Sequence, residues 1–181
     1  ARAALACLDK AVQANPASAA DWLGIGRGYA EHWRYPEADS ALARASALDP
    51  GAAEIETLAA FLKQEMGDVG GALEALARAR ARDPGNLAVM LGERLMLPPV
   101  YADMADVARW RSRYRQGLED LLRDAERLMP RAAEVLDLNR ANFLLAYQGE
   151  DDTALQRGYS TLLGKLLSAA RPECRPPRPI P

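Results

Sequence analysis

Histidine occurs once in this chain, at His32, and cysteine twice, at Cys7 and Cys174. A lone histidine at a helix end beside Trp33 reads as a packed or surface residue, and no Ser-His-Asp or Cys-His nucleophile set is built around it. Two cysteines so far apart, without CxxC spacing, form neither a zinc cluster nor a disulfide framework. They read as free thiols, which points to a reducing compartment and a cytoplasmic location. No apolar run reaches the roughly 18–20 residues that a membrane span needs. The glycines include no phosphate-cradling loop. Gly24, Gly26 and Gly28 alternate inside a helical pattern and follow no strand, so they are not a dinucleotide fingerprint. An excess of charge is missing too. The formal net charge is −2, which gives no global attraction to nucleic acid or to an anionic membrane surface. No metal site, cofactor or catalytic residue is expected.

What is present is a repeat. The chain has 181 residues, 49% of them apolar and 27% charged, as in a globular protein. Pro16, Pro50 and Pro84 lie 34 residues apart, as do Ala4, Ala38 and Ala72, then Leu8, Leu42 and Leu76, then Ala11, Ala45 and Ala79. Four registers sharing one period mark a repeat architecture. From Ala19 to Ala52 the pattern includes Trp22, Ile25, Gly26, Tyr29, Ala38, Leu42, Ala45 and Pro50. From Ala53 to Asn86 it keeps Ala72, Leu76, Ala79 and Pro84. In both length and residue offsets this resembles the tetratricopeptide repeat (TPR). The resemblance implies paired helices in which small residues such as Gly26, Ala38 and Ala72 allow close approach. It also implies stacking of the pairs into a short right-handed superhelix with a concave surface. Residues 1–14 read as the second helix of a repeat whose first helix is missing. With Ala1 in place of an initiator Met, the chain is expected to begin inside a longer protein, any targeting signal lying upstream. Arg78 reads as exposed, so a change there is expected to be nearly neutral.

The period fails at its third turn. Residues 87–97 (LAVMLGERLML) open a helix, but Pro98-Pro99 follow too early. Proline removes a donor and disfavours helical backbone in the residue before it. The helix should stop near Leu97, and PPVY should be an extended connector. Beyond it, Met104, Val107, Trp110 or Arg111, Tyr114, Leu118, Leu121 and Met129 recur at helical steps. They predict a long amphipathic helix over 103–128, followed by helices near 131–147 and 152–168. The ending RPECRPPRPIP reads as a polyproline-like linker. The expected organisation is therefore all-α: a TPR array over 1–97, a helical connector or capping segment over 98–170, and a Pro-rich tail over 171–181.

LPPVY, the spaced pattern RW-R-RY-GL from Arg109 to Leu118, and NFLLAYQGEDDTALQRGY together resemble the connector of bacterial SPINDLY-type glycosyltransferases, relatives of the eukaryotic O-linked N-acetylglucosamine transferases. The resemblance covers about residues 95–170. It implies that a nucleotide-sugar transferase domain follows Pro181 and that this chain holds none of the catalytic residues. The asparagines that line the groove of the eukaryotic enzymes have no counterpart in helices 19–33 and 53–66.

Among charged candidates, Arg109, Arg111, Arg113 and Arg115 could meet phosphates. On a helix they spread around the cylinder beside Asp103, Asp106, Glu119, Asp120 and Asp124, and read as a solvated, ion-paired face. Glu150, Asp151 and Asp152 precede a helix and read as N-terminal caps. The remaining candidate is the concave groove, expected to be lined by Leu23, Arg27, Ala30, Thr57, Phe61, Gln64, Leu91 and Leu95. Mixed and rather apolar, it suits an amphipathic helix or an extended segment of a protein partner. The alternative is that the chain's own C-terminal helices fill it. Two functions stand at this point. One is the non-catalytic N-terminal region of a protein glycosyltransferase, which would recruit or position acceptor proteins. The other is a stand-alone TPR adaptor.

Overall fold

The computed structural model describes residues 10, 13, 17–137 and 143–174, and among these the chain is helical, with no strand. Most of the helix expected over 1–14, and residues 175–181 of the tail, lie outside the described residues. Contacts divide the chain into two compact units, Ala1–Pro84 and Gly85–Pro181. The sequence placed the boundary at residue 97. Packing divides the chain earlier because Leu87, Leu91 and Leu95 join the core of the second unit.

The first unit holds two helix pairs, α1 (Ala19–Ala30) with α2 (Tyr35–Leu48) and α3 (Ala53–Glu65) with α4 (Val69–Arg82). The starts of α1 and α3 are 34 residues apart, and so are both ends of α2 and α4. Ser18 opens α1 by accepting the Asp21 N–H at 3.1 Å. Pro36 lies in the first turn of α2, where its missing donor costs nothing. The small residues do what the spacing requires. Ala38, Ala45, Ala72 and Ala79 are fully buried, and a Cβ on Gly26 would lie 2.7 Å from Leu42 Cδ2. Leu42 and Leu76 fill the space that remains. The turn after α3 bonds as a Schellman motif. Gly67, at φ 83°, donates to Gln64 O at 3.0 Å and Asp68 donates to Lys63 O at 2.8 Å. Asp68 then caps α4 through Gly71 N–H at 2.9 Å.

Among the described residues of this unit, one carboxylate is buried. Glu56, fully buried on α3, accepts from Ser46 Oγ on α2 and from Arg78 on α4, whose Nη2 lies 2.8 Å away. Three helices thus share one satisfied carboxylate. Arg78 is correspondingly no neutral surface position, contrary to the expectation from sequence: its guanidinium is the counter-charge of a buried group.

The second unit contains α5 (Leu87–Leu95), α6 (Met104–Arg123), the short α7 (Ala125–Leu128) and α8 (Thr153–Ala170). Helix α5 ends at Leu95 with Met96 extended, and non-helical backbone runs through Pro98 and Pro99 as the prolines require. The helix expected over 103–128 is interrupted at Asp124. The helix expected over 131–147 is replaced by two 3₁₀ segments, Met129–Asp137 and Phe143–Gln148. Residues 138–142 lie outside the description. The physical reason is a period of three. Met129, Ala132 and Val135 pack on the core, and Leu145 and Gln148 are both buried. Residues three apart eclipse in a 3₁₀ helix but diverge on an α-helix. Glu134 adds a tie by accepting the Leu87 N–H at 2.8 Å. Gly117 lets α6 lie against α5, since a Cβ there would run into the Arg94 carbonyl oxygen.

Candidate functional site

On α1, Leu23, Arg27 and Ala30 follow the i, i+4, i+7 spacing of one helix face, and Thr57, Phe61 and Gln64 follow it on α3. Leu23 and Ala30 are half-buried and Arg27 is exposed. Thr57 turns its hydroxyl back to Ala53 O at 2.6 Å, Phe61 is 41% exposed, and Gln64 is buried. Arg27 bridges the two helices by pairing with Glu54. The accessible surface is therefore one exposed ring, an aliphatic side chain, a methyl and a tethered ion pair. Such a surface can take up an apolar side chain of a partner.

Leu91 and Leu95 require a correction. They are 2% and 8% exposed and sit in a core with Tyr114, Leu118, Leu121, Leu162 and Leu166. Helices α6 and α8 supply those residues, so the apolar stripe of α5 is spent on packing and lines no open surface. For this part of the list, the chain's own C-terminal helices are indeed the occupant.

The arginine run disperses. Arg109 pairs with Asp106, while Arg113 donates to the Glu93 and Met96 carbonyls and lies over the Trp110 ring at 5.3 Å. Burial holds the Arg113 guanidinium below its ordinary value. Arg111 departs from the expected solvated face altogether. It is 9% exposed and donates from Nη1 to Gln148 Oε1 at 2.7 Å and Asp152 Oδ1 at 2.6 Å, and from Nη2 to Asp151 O at 2.9 Å. Gln148 Nε2 in turn donates to the Tyr101 hydroxyl, whose phenol is pushed up by burial. The network ties the proline connector, α6, the second 3₁₀ segment and the start of α8. The sequence held a signal for it: Val107, Arg111, Tyr114, Leu118 and Leu121 share one face, and four of the five are apolar. Of the acidic trio, Asp151 does cap, accepting the Thr153 N–H at 2.9 Å. Hydrogen bonds from the Thr153 side chain and then from its backbone hold the Asp151 carboxyl below the usual range. Asp152 spends its carboxylate on Arg111 instead.

His32 lies just past α1 with Nδ1 2.8 Å from Gly28 O, a helix-end contact. Among the described residues no three His, Cys, Asp or Glu groups come together as metal ligands. No helix among them is long and apolar enough to cross a membrane. No family model matches the chain, and no curated protein matches it significantly.

Proposed function

We propose that this chain is a non-catalytic protein-interaction scaffold of TPR type, belonging to the N-terminal region of a SPINDLY-like protein glycosyltransferase. Its role would be to recruit or position acceptor proteins. The observation that carries the scaffold reading is the 34-residue recurrence of whole helices, with the same small residues buried at equivalent points of α2 and α4. Stacked pairs of this kind expose the first helix of each pair, here α1 and α3, and Phe61 with Leu23 and Ala30 gives that face its apolar character. A partner's amphipathic helix or extended segment fits it. The transferase link is supported by the Arg111 network. Its members come from the three stretches that carry the resemblance: Tyr101 from LPPVY, Arg111 from the RW-R-RY-GL helix, and Gln148, Asp151 and Asp152 from the NFLLAYQGEDD stretch.

The two halves of the reading are tested separately. The coding sequence beyond Pro181 should continue into a nucleotide-sugar-binding α/β domain. A stop codon there removes the transferase link and leaves the stand-alone adaptor, which rests on the same helix recurrence. The purified chain should turn over no nucleotide sugar, and turnover above blank would overturn the non-catalytic assignment. For the surface, Phe61→Glu should abolish photo-crosslinking of acceptor protein to the α3 face without lowering the melting temperature. Unchanged crosslinking would exclude that face.

A further inference from the structure

The first helix pair turns on a tryptophan where the second turns on glycine. Trp33 (φ 58°) and Gly67 (φ 83°) are 34 residues apart. Their turns bond alike: Trp33 N–H donates to Ala30 O and Arg34 N–H to Tyr29 O, both at 3.0 Å, matching Gly67 to Gln64 and Asp68 to Lys63. Left-handed backbone disfavours every side chain relative to glycine, and a bulky one is unusual there. Burial does not compensate, because Trp33 is 79% exposed. Neither backbone nor packing accounts for a tryptophan at this position, which leaves its exposed ring.

That ring has company. Its centroid lies 6.0 Å from the Tyr35 ring, tilted by 36°. The turn and the facing end of α3 carry Glu31, Glu37, Asp39, Glu65 and Asp68 against Arg34 and Lys63. Arg34 is engaged with Glu37 and with the face of Tyr29 at 4.7 Å. Lys63 spans Asp39 at 3.3 Å and Asp68 at 3.8 Å. Glu31 and Glu65 are exposed and have no ion-pair partner among the described residues. Glu65 stands close enough to Tyr35 to reinforce the upward push that burial gives the phenol.

We propose that Trp33 and Tyr35, with Glu31 and Glu65 beside them, form a docking site for an extended, proline-rich segment of a partner that carries arginine. The exposed Trp33 ring beside the half-buried Tyr35 ring makes a short apolar platform without walls. It suits the flat faces of proline rings in a preformed polyproline helix better than it suits an amphipathic helix, which needs a groove. The two free carboxylates select the charge, and arginine meets a carboxylate through paired donors. The platform lies on the turn between α1 and α2 and does not depend on the α1/α3 face assigned above.

The chain's own Arg175–Pro181 (RPPRPIP) has the required composition and supplies the probe. The full chain carrying Arg175→Ala and Arg178→Ala, which removes its own copy of that charge pattern, is titrated with the free peptide RPPRPIP. Calorimetry and the Trp33 indole resonance follow the binding. Saturable binding that shifts this resonance is expected, weakening as salt is raised. Trp33→Gly places in this turn the residue that the second turn already uses, so the variant should fold and melt normally while losing about tenfold or more in affinity. The pair Glu31→Gln and Glu65→Gln should weaken RPPRPIP but leave APPAPIP unaffected. Absence of saturable binding overturns the proposal. So does Trp33→Gly binding as tightly as its parent, or a proline-free peptide, RAARAIA, binding as tightly as RPPRPIP.

Discussion

The two units solve the same packing problem with different materials. The first brings its helices close on alanine: Ala38, Ala41, Ala45, Ala72, Ala75 and Ala79 are buried, with Leu42 and Leu76 as buried large residues beside them. The second fills its core with leucines and Tyr114, and adds 3₁₀ turns and a buried arginine network. Close approach on small residues demands a strict period, because each alanine must meet its partner helix at one register. Filling with large flexible side chains tolerates irregular spacing. The first unit is consequently repetitive in sequence and the second is not.

The largest effect is expected where the second unit relies on charge. Arg111→Leu strands Asp152 and Gln148 in a nearly dry site. Removing one partner of a buried ion pair typically costs about 3–5 kcal/mol. Chemical denaturation of Arg111→Leu against the exposed Arg115→Leu measures it. Equal midpoints would mean that the second unit is held by apolar packing and not by the Arg111 network.

This contrast also governs how much could be read from sequence. The helices of the first unit were legible because Ala38, Leu42 and Ala45 recur as Ala72, Leu76 and Ala79, and the stop after Leu95 was legible from Pro98-Pro99. The 3₁₀ segments were not, since Met129, Ala132 and Val135 satisfy a helical reading until their spacing of three is taken literally. The Arg111 network was hidden for a different reason. Periodicity shows that a position is buried, but not which residue some forty positions away will satisfy it. The groove list failed at Leu91 and Leu95 because an apolar stripe does not say whether a partner or the same chain covers it. Glu56 and Arg78 were missed on the same principle: 22 residues apart on different helices, they meet only once α3 packs against α4.

Next in size is that Glu56 site, where the first unit buries a charge as the second does. Arg78→Leu leaves a fully buried carboxylate with only Ser46. Because Arg78 is half exposed and water can partly replace it, a cost of about 2–3 kcal/mol is expected. The exposed Glu74→Gln should be nearly neutral, within about 0.5 kcal/mol. Matching melting curves for the two variants would return Arg78 to the surface role its spacing suggested. Somewhat smaller, about 1–3 kcal/mol, is the overpacking cost of Ala38→Leu or Ala72→Leu. These two should fall together, since they occupy one register of the repeat. If one melts like the parent while the other falls, the two helix pairs are not equivalent and the comparison with the irregular second unit loses its basis.

The smallest effect isolates backbone from packing within the first unit. Trp33 and Gly67 hold the same left-handed turn, so the first turn carries a steric cost that the second avoids. Trp33→Ala and Trp33→Gly both lose the ring and its contact with Tyr35, and they differ only by a Cβ. In most helical positions glycine would be the less stable of the two by about 0.5–1 kcal/mol, because it gives up more chain entropy on folding. At φ 58° the order should reverse: the Cβ meets the carbonyl oxygen that follows it, at a cost of about 1–2 kcal/mol. Trp33→Gly is therefore expected to melt above Trp33→Ala by the equivalent of up to about 1 kcal/mol. Gly67→Ala, the mirror experiment in the second turn, should lower stability by a similar amount. A glycine variant that melts below the alanine variant would mean that the first turn relaxes out of the left-handed region once the ring is gone. The two turns would then be alike only while Trp33 is present.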